Sequence, residues 1–278
     1  MNGTGEAPDG ASSIGSSGPG SAAALVTGAT RRIGLTIAEA LVGAGFDVAL
    51  HCSPASRHET EAEATRLGAG GRRIAVLPAD LAQSGSPVAV IDGANAALGP
   101  LTFLVNSAAL FEADTADEPD PALLDRHFAV NLRAPVLLTA AFAAQVPGGT
   151  EASVVNIIDQ RVFRPNPAFF SYTLAKSALW TATRTMAQAY AARRIRVNAV
   201  GPGPTAPNRI EGEDGMRAEI AGIPLARAIQ PAEIAAAVLF LAQARNVTGQ
   251  LICVDGGQHL GWQTPDFLGA QGSTKERP

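Results

Sequence analysis

The chain is expected to fold as one α/β domain on an open, doubly wound parallel sheet of about seven strands with helices on both faces. Three observations lead there. Short apolar, β-rich runs alternate with longer helix-like stretches from Ala23 onward, the pattern of a parallel sheet with crossover helices. The first such run passes through a tight, glycine-containing turn straight into a helix-like stretch. The 278 residues are 46% hydrophobic and carry no linker that would divide them, so one large sheet with its helices uses the whole chain.

Strands are predicted at Ala23–Thr27, 47–51, 73–77, 103–105, 153–158, 196–200 and Leu251–Val254. Helices are predicted over 32–44, 59–67, 88–98, Pro121–Gln145, 170–192 and 231–242. A helix between most neighbouring strands suits a doubly wound sheet better than a closed barrel. Residues 204–222 break the rhythm with prolines, glycines and charges. An irregular insertion after the carboxyl end of a strand is where a lid over a substrate would sit. Residues 1–20, rich in Gly, Ser, Ala and Pro, read as a disordered leader, since the basic start and apolar middle of a signal peptide are missing. The domain then spans 21–262, and 263–278 form a flexible or oligomer-contacting tail.

A net charge of −4 and a pI near 5.6 argue against nucleic acid or an anionic membrane as partner. No apolar run reaches the roughly 18 residues of a membrane span. Cys52 and Cys253, far apart in apolar stretches, read as thiols of a reducing cytoplasm, and no metal is expected.

Chemistry is concentrated at two places. Residues 25–34, with Gly28, Arg31, Arg32, Ile33 and Gly34, run from strand to helix. Gly28 permits a tight turn, and the helix N-terminus offers free N–H groups to a pyrophosphate. The second strand ends His51-Cys52-Ser53 without the acid that would bind a ribose 2′-hydroxyl. The Arg31 guanidinium and nearby hydroxyls suit a 2′-phosphate instead, so NADPH is the expected cofactor; Arg31 also reads as an ordinary surface charge. The second place is Tyr172 and Lys176, four apart and therefore on one helical face. A lysine beside a phenol is expected to lower the tyrosine pKa and ease proton transfer.

These motifs, in this order, resemble the short-chain dehydrogenase/reductase family from Ala22 to about Gly257. The resemblance implies a Rossmann-type fold, a dinucleotide site and Tyr172 with Lys176 as the catalytic pair, Lys176 also binding the nicotinamide ribose. It implies that Asp80, in Ala79-Asp80-Leu81, contacts adenine, although an aspartate there is equally a helix N-cap. Asn106, Ser107 and Ala108 match a cofactor-approach motif, Pro202 and Gly203 a turn beside the nicotinamide, Thr205 a carboxamide contact, and Asn131 a helix asparagine that holds a water in the proton relay. Arg32 stands where the family's middle glycine is usual. Homo-oligomers, tetramers or dimers through the long helices and last strand, are usual in the family.

Asp159, thirteen residues before Tyr172, narrows the resemblance, because most members carry serine there. Pteridine reductases and bacterial dihydromonapterin reductases carry aspartate, a basic pair like Arg31-Arg32, a similar His51-containing strand end and an aromatic residue at the place of Phe111. The implied substrate is a pterin-like ring lying on Phe111, with Arg32, Asp159 and Tyr172 around it. A phenyl face suits a flat ring, and a carboxyl group can relay a proton to a ring nitrogen. Asp159 as a local cap and Phe111 as a core aromatic are the alternatives. Reduction of a ketone or acyl-thioester, or non-catalytic binding of NADPH or a pterin as a sensor, are the competing functions.

Overall fold

A computed structural model describes residues 22–206 and 212–261; the expected leader, the expected tail and residues 207–211 of the insertion lie outside them. Seven strands form the sheet: β1 Ala23–Thr27, β2 Asp47–Cys52, β3 Ile74–Pro78, β4 Leu101–Asn106, β5 Ala152–Ile157, β6 Ile195–Pro202 and β7 Leu251–Val254. Their order is β3-β2-β1-β4-β5-β6-β7, and every pairing is parallel. The chain winds from β1 out to β3, then returns to place β4 on the other side of β1. Such a reversal opens a crevice at the carboxyl ends of the central strands.

Helices α1 Arg32–Gly43, α2 Arg57–Gly68, α3 Ser86–Leu98, α4 Pro121–Phe128, α5 Ala134–Gln145, α6 Phe170–Tyr190, α7 Gly212–Ala221 and α8 Pro231–Gln243 complete the described fold. Side chains alternate between the two faces of a strand, and β1 shows the result. Leu25 joins Ile91, Leu138 and Phe142 on one face, while Ala24 and Val26 join Ile37, Leu41 and Val238 on the other. Burial on both faces explains why β1, β2 and β5 are buried throughout, with none of the polar alternation of a one-sided sheet.

The expected strands lie within about two residues of the observed ones, the usual spread at element ends. Two expectations need correction. The single helix at Pro121–Gln145 is interrupted by a π turn at Ala129–Arg133. Pro135 has no N–H for the carbonyl of Asn131 four residues earlier, so the α-helical ladder fails there and the wider turn takes its place. Pro121–Gln145 is long and apolar enough to cross a bilayer by length and composition, but half of its most apolar window is buried, with Leu138 and Phe142 in the core. The insertion is the second correction: it is not irregular throughout, because residues 212–221 form α7.

Candidate active site

The carboxyl ends of the central strands open onto a cavity of 590 Å³. Its cofactor-side wall is made largely by backbone. Gly28 adopts φ +68°, and a Cβ there would lie 2.8 Å from the Ala108 Cα. At Gly34 a Cβ would meet the Gly28 carbonyl oxygen at 2.1 Å, so the first turn of α1 packs directly on the strand turn. Thr27 Oγ1 accepts from the N–H groups of Ser107 and Ala108, each at 3.0 Å, and ties the β4 loop to β1. Among the described residues no side chain caps the N-terminus of α1, whose N–H groups are therefore free for an anion.

Arg31, Arg32, Ile33 and Ser53 line this wall. Arg32 holds φ 51° where a glycine is usual, a left-handed conformation that costs a non-glycine on the order of 1 kcal/mol. Arg31 is exposed and 4.0 Å from Glu59, a pair that water weakens. Asp80 and Leu81 also line the cavity. Asp80 accepts from Ala82 N–H at 2.9 Å and Gln83 Nε2 at 3.3 Å, contacts that close a turn and cap no helix, since the N-cap of α3 is Gly85. Pro202, Gly203 and Thr205 line the cavity as well; a Cβ on Gly203 would lie 2.8 Å from the Asp255 Cα. The glycine cradle, free N–H groups and cationic mouth fit a dinucleotide with a 2′-phosphate.

Two expected ligand contacts are taken up by the framework. His51 is 3% exposed. Its Nδ1 accepts from Gly28 N–H at 3.3 Å and its Nε2 lies 3.1 Å from the Ala79 carbonyl, so both ring nitrogens have protein partners. Burial lowers its pKa to about 4, against the raising effect of the Ala79 contact, and keeps the ring neutral. Asn106 donates to Asn156 Oδ1 at 2.8 Å and to Thr139 Oγ1 at 3.3 Å, and Asn156 donates to Thr183 at 2.9 Å. This buried chain joins β4, β5, α5 and α6 beneath the cavity rather than facing into it.

The opposite wall is made by side chains. Tyr172 and Lys176 sit one turn apart on α6. Tyr172 Oη donates to Asp159 Oδ2 at 3.0 Å, and Lys176 Nζ donates to the Ile157 carbonyl at 2.8 Å. The expected lowering of the tyrosine pKa is overturned. Burial, then the charge of Asp159 and the hydrogen bond to it, push the phenol well above its usual range. Lys176 is held on Ile157, 5.7 Å from the Tyr172 ring, and burial lowers its own pKa to about 8. Burial raises the Asp159 carboxyl despite the Arg161 N–H and guanidinium and the Tyr172 hydroxyl. Near neutral pH the phenol therefore holds its proton.

Asp159 is also the cap expected as its alternative, since Oδ1 accepts from Arg161 N–H at 2.9 Å. Phe111 is 42% exposed, not a core aromatic. It stacks on Phe169 with centroids 4.2 Å apart and planes 7° apart, and meets Tyr172 edge-on at 4.7 Å. Asn131 grips the segment before it: Oδ1 accepts from Leu110 N–H and Nδ2 donates to the Leu110 carbonyl, both at 2.8 Å. Its side chain therefore positions the Phe111 loop.

Supporting residues passed over in the sequence tie this wall together. Asp114 accepts from Ser171 N–H at 3.0 Å at the start of α6, and His127 Nδ1 lies 2.6 Å from Ser171 Oγ. Phe169 precedes α6 in a left-handed conformation, φ 56°. Arg161, Gln160 and, from α7, Met216 and Glu219 line the cavity. Arg161 lies two residues after Asp159, a signal within reach of a motif search; the α7 residues carry no such signal. Cys253, Asp255 and His259 bring their polar atoms within 4.8 Å of one another. Asp255 is already engaged by the N–H groups of Gly257 and His259, and burial pushes the Cys253 thiol up to about 12, so the trio serves as a turn clamp.

The family model for enoyl-(acyl carrier protein) reductase matches residues 28–259. A short-chain type dehydrogenase/reductase of Picea abies is 32% identical over 86% of this chain and 93% of its own length. Pteridine reductase 1 of Leishmania tarentolae is 33% identical over 87% of this chain and 98% of its own. Among solved structures, the FolM alternative dihydrofolate reductase 1 of Brucella canis, complexed with NADP, superposes with a TM-score of 0.84. It is 46% identical and covers 88% of this chain and 96% of its own.

Proposed function

The chain belongs to the short-chain dehydrogenase/reductase family, and on that premise we propose that it is an NADPH-dependent reductase of pterin-type rings, of the dihydropterin or dihydrofolate class. One observation carries the reading: a half-buried carboxyl group, Asp159, accepts from the Tyr172 hydroxyl at 3.0 Å beside the exposed ring of Phe111. A ketone oxygen needs a neutral donor; a ring nitrogen is served by a carboxyl–phenol pair that can pass a proton in either direction. The likeness to the Brucella and Leishmania proteins supports the same substrate class.

The Gly28–Gly34 turn would hold NADPH, with Arg31, Arg32 and Ser53 available to its 2′-phosphate, Ser107, Ala108, Asp80 and Leu81 to its adenosine part, and Pro202, Gly203 and Thr205 to its nicotinamide. When bound, it supplies the hydride. Tyr172 supplies the proton, Asp159 orients the phenol, and Lys176 holds the nicotinamide ribose and a positive charge near the site. Asn131 fixes the Leu110–Phe111 segment. Phe111 gives the ring its face, and Arg32 borders the mouth. The chain acts in the cytoplasm as a homo-oligomer; Leu174, 41% exposed on α6, and Phe240, 54% exposed on α8, are surfaces for such contacts.

The competing reading, reduction of a carbonyl or 3-oxoacyl thioester, is supported by a relative of another substrate class, the 2-(S)-hydroxypropyl-CoM dehydrogenase 3 of Xanthobacter autotrophicus, 33% identical over 84% of this chain. NADPH consumption is compared with dihydrobiopterin, dihydromonapterin and dihydrofolate against a panel of ketones and a 3-oxoacyl thioester. Turnover confined to the carbonyl compounds removes the pterin reading. Tight NADPH binding with no turnover of any compound makes the protein a sensor.

A further inference from the structure

Arg161 is the largest polar side chain on the cavity wall that the proposed chemistry does not use. Only 14% of its side chain is exposed. Its guanidinium carbon lies 5.0 Å from the Phe169 ring centroid and 5.9 Å from that of Phe111, alongside the stacked pair. Among the described residues its guanidinium makes one hydrogen bond, Nη1 to Asn166 Oδ1 at 3.3 Å. Its Nε stands 3.9 Å from Asp159 Oδ1, too far for a hydrogen bond. A guanidinium has a planar fork of N–H donors, and most of them here have no protein acceptor.

Beside it, Gln160 is 5% exposed and lines the same cavity, and its Oε1 has no hydrogen-bond partner among the described residues. The Asp159 carboxylate at 3.9 Å, Asn166 and the faces of Phe169 and Phe111 hold the guanidinium in place and offset part of the cost of its burial. They leave most of its N–H donors, and Gln160 Oε1, without a hydrogen-bond partner among the described residues.

We propose that Arg161, with Gln160 beside it, recognises the polar edge of the substrate ring and so sets specificity for oxo-substituted heteroaromatic rings over simple ketones. The inference rests on the pterin-ring reading and adds to it the residues that read the ring. A ring lying against Phe111 brings its edge beside the guanidinium. The ring carbonyl oxygen accepts from the planar fork, and the lactam N–H or the amino group on the same edge donates to Gln160 Oε1. An aliphatic ketone has no such row of partners and gains nothing from either residue.

The test is Arg161→Met, which keeps an apolar stem against Phe169 and removes the donors. Wild type is assayed first with 7,8-dihydrobiopterin. The KM for dihydrobiopterin is expected to rise roughly 10- to 100-fold, as for loss of hydrogen bonds from a charged group. kcat should change by less than about threefold, because uniform binding is lost. The Kd for NADPH and the thermal midpoint should not move. Arg161→Lys should recover little of the loss, since an ammonium lacks the planar fork. An unchanged KM in Arg161→Met overturns the inference alone, with the pterin reading intact. A KM rise accompanied by equal loss of NADPH affinity and of thermal midpoint makes Arg161 structural and also overturns it. Wild-type enzyme that turns over no pterin removes both.

Discussion

The two walls of the cavity are built by different means. The cofactor wall is backbone: Gly28 and Gly34 let β1 and α1 approach, the end of α1 offers N–H groups, and His51 and Thr27 pin neighbouring turns through their polar atoms. The substrate wall is a mesh of side chains from distant elements, with Asp159 from the end of β5, Tyr172 and Lys176 from α6, and Phe111 from the β4 loop. A backbone wall tolerates changes of side chain but not of shape. A side-chain wall tolerates small shifts of backbone but loses function when one partner goes. The first suits a cofactor shared by many enzymes; the second suits a substrate that distinguishes them.

The largest expected effect falls on the substrate wall. Tyr172→Phe should lower kcat on the order of 10³-fold, the upper part of the range for removing a general acid, and leave the Kd for NADPH unchanged. Single-turnover kinetics with NADPH titration separate the two; surviving activity would show that another group donates the proton.

The next falls on the framework of the cofactor wall. His51 is neutral in the folded protein, with a pKa of about 4 against 6.5 when unfolded. Above pH 6.5 neither state binds the proton and the contribution is fully present. Below it the unfolded chain takes up the proton and the folded one does not, so stability falls until the pH reaches about 4. The loss over that window should be about 3 kcal/mol, from the shift in pKa. Urea unfolding between pH 7 and 4 measures it, and His51→Gln should flatten the slope; an equal slope in the variant would place the acid sensitivity elsewhere.

Asp159→Ser should sharpen the contrast between substrates. The carboxyl group holds the phenolic proton, so its loss should cut pterin reduction by roughly 10- to 100-fold, within the range of a proton-transfer contribution, and cut any ketone reduction less. Equal losses on both would make Asp159 a turn cap alone. The smallest expected effect is Arg32→Gly. Relief of the left-handed backbone should raise unfolding stability by about 1 kcal/mol, while NADPH binds more weakly. A drop in stability would mean that the guanidinium contributes more to the fold than its backbone costs.

Legibility follows the same division. Parallel strands buried on both faces leave uninterrupted apolar runs, so the strands are read within about two residues. Gly28, Gly34 and the Tyr172–Lys176 spacing are local, and local geometry is written in neighbouring residues. His51, Asn106 and Asn131 were assigned to ligands or the proton relay by position alone. Their partners lie 21 to 50 residues away. No spacing rule shows that His51 serves the Gly28 turn or that Asn131 grips Leu110. The π turn was hidden for a related reason: Pro135 is visible, but an apolar helical pattern continues through it. Phe169 carries no pattern in the sequence, because a phenylalanine in a loop is unmarked until something lies beside it, whereas Arg161 is marked only by its place two residues after Asp159.

By itself, the sequence determined the parallel sheet with its crossover helices, the strand-to-helix glycine turn and the placing of Tyr172 and Lys176 on one helical face, because each rests on short-range spacing and apolar periodicity. Tertiary structure alone decided the direction of the tyrosine pKa. In sequence Lys176 is the nearest charge and the phenol is expected to ionise easily. In the fold, Lys176 turns to the Ile157 carbonyl and Tyr172 faces the Asp159 carboxyl in a buried site. Desolvation and an adjacent carboxylate both oppose a phenolate, and neither burial nor facing partners can be counted along a chain.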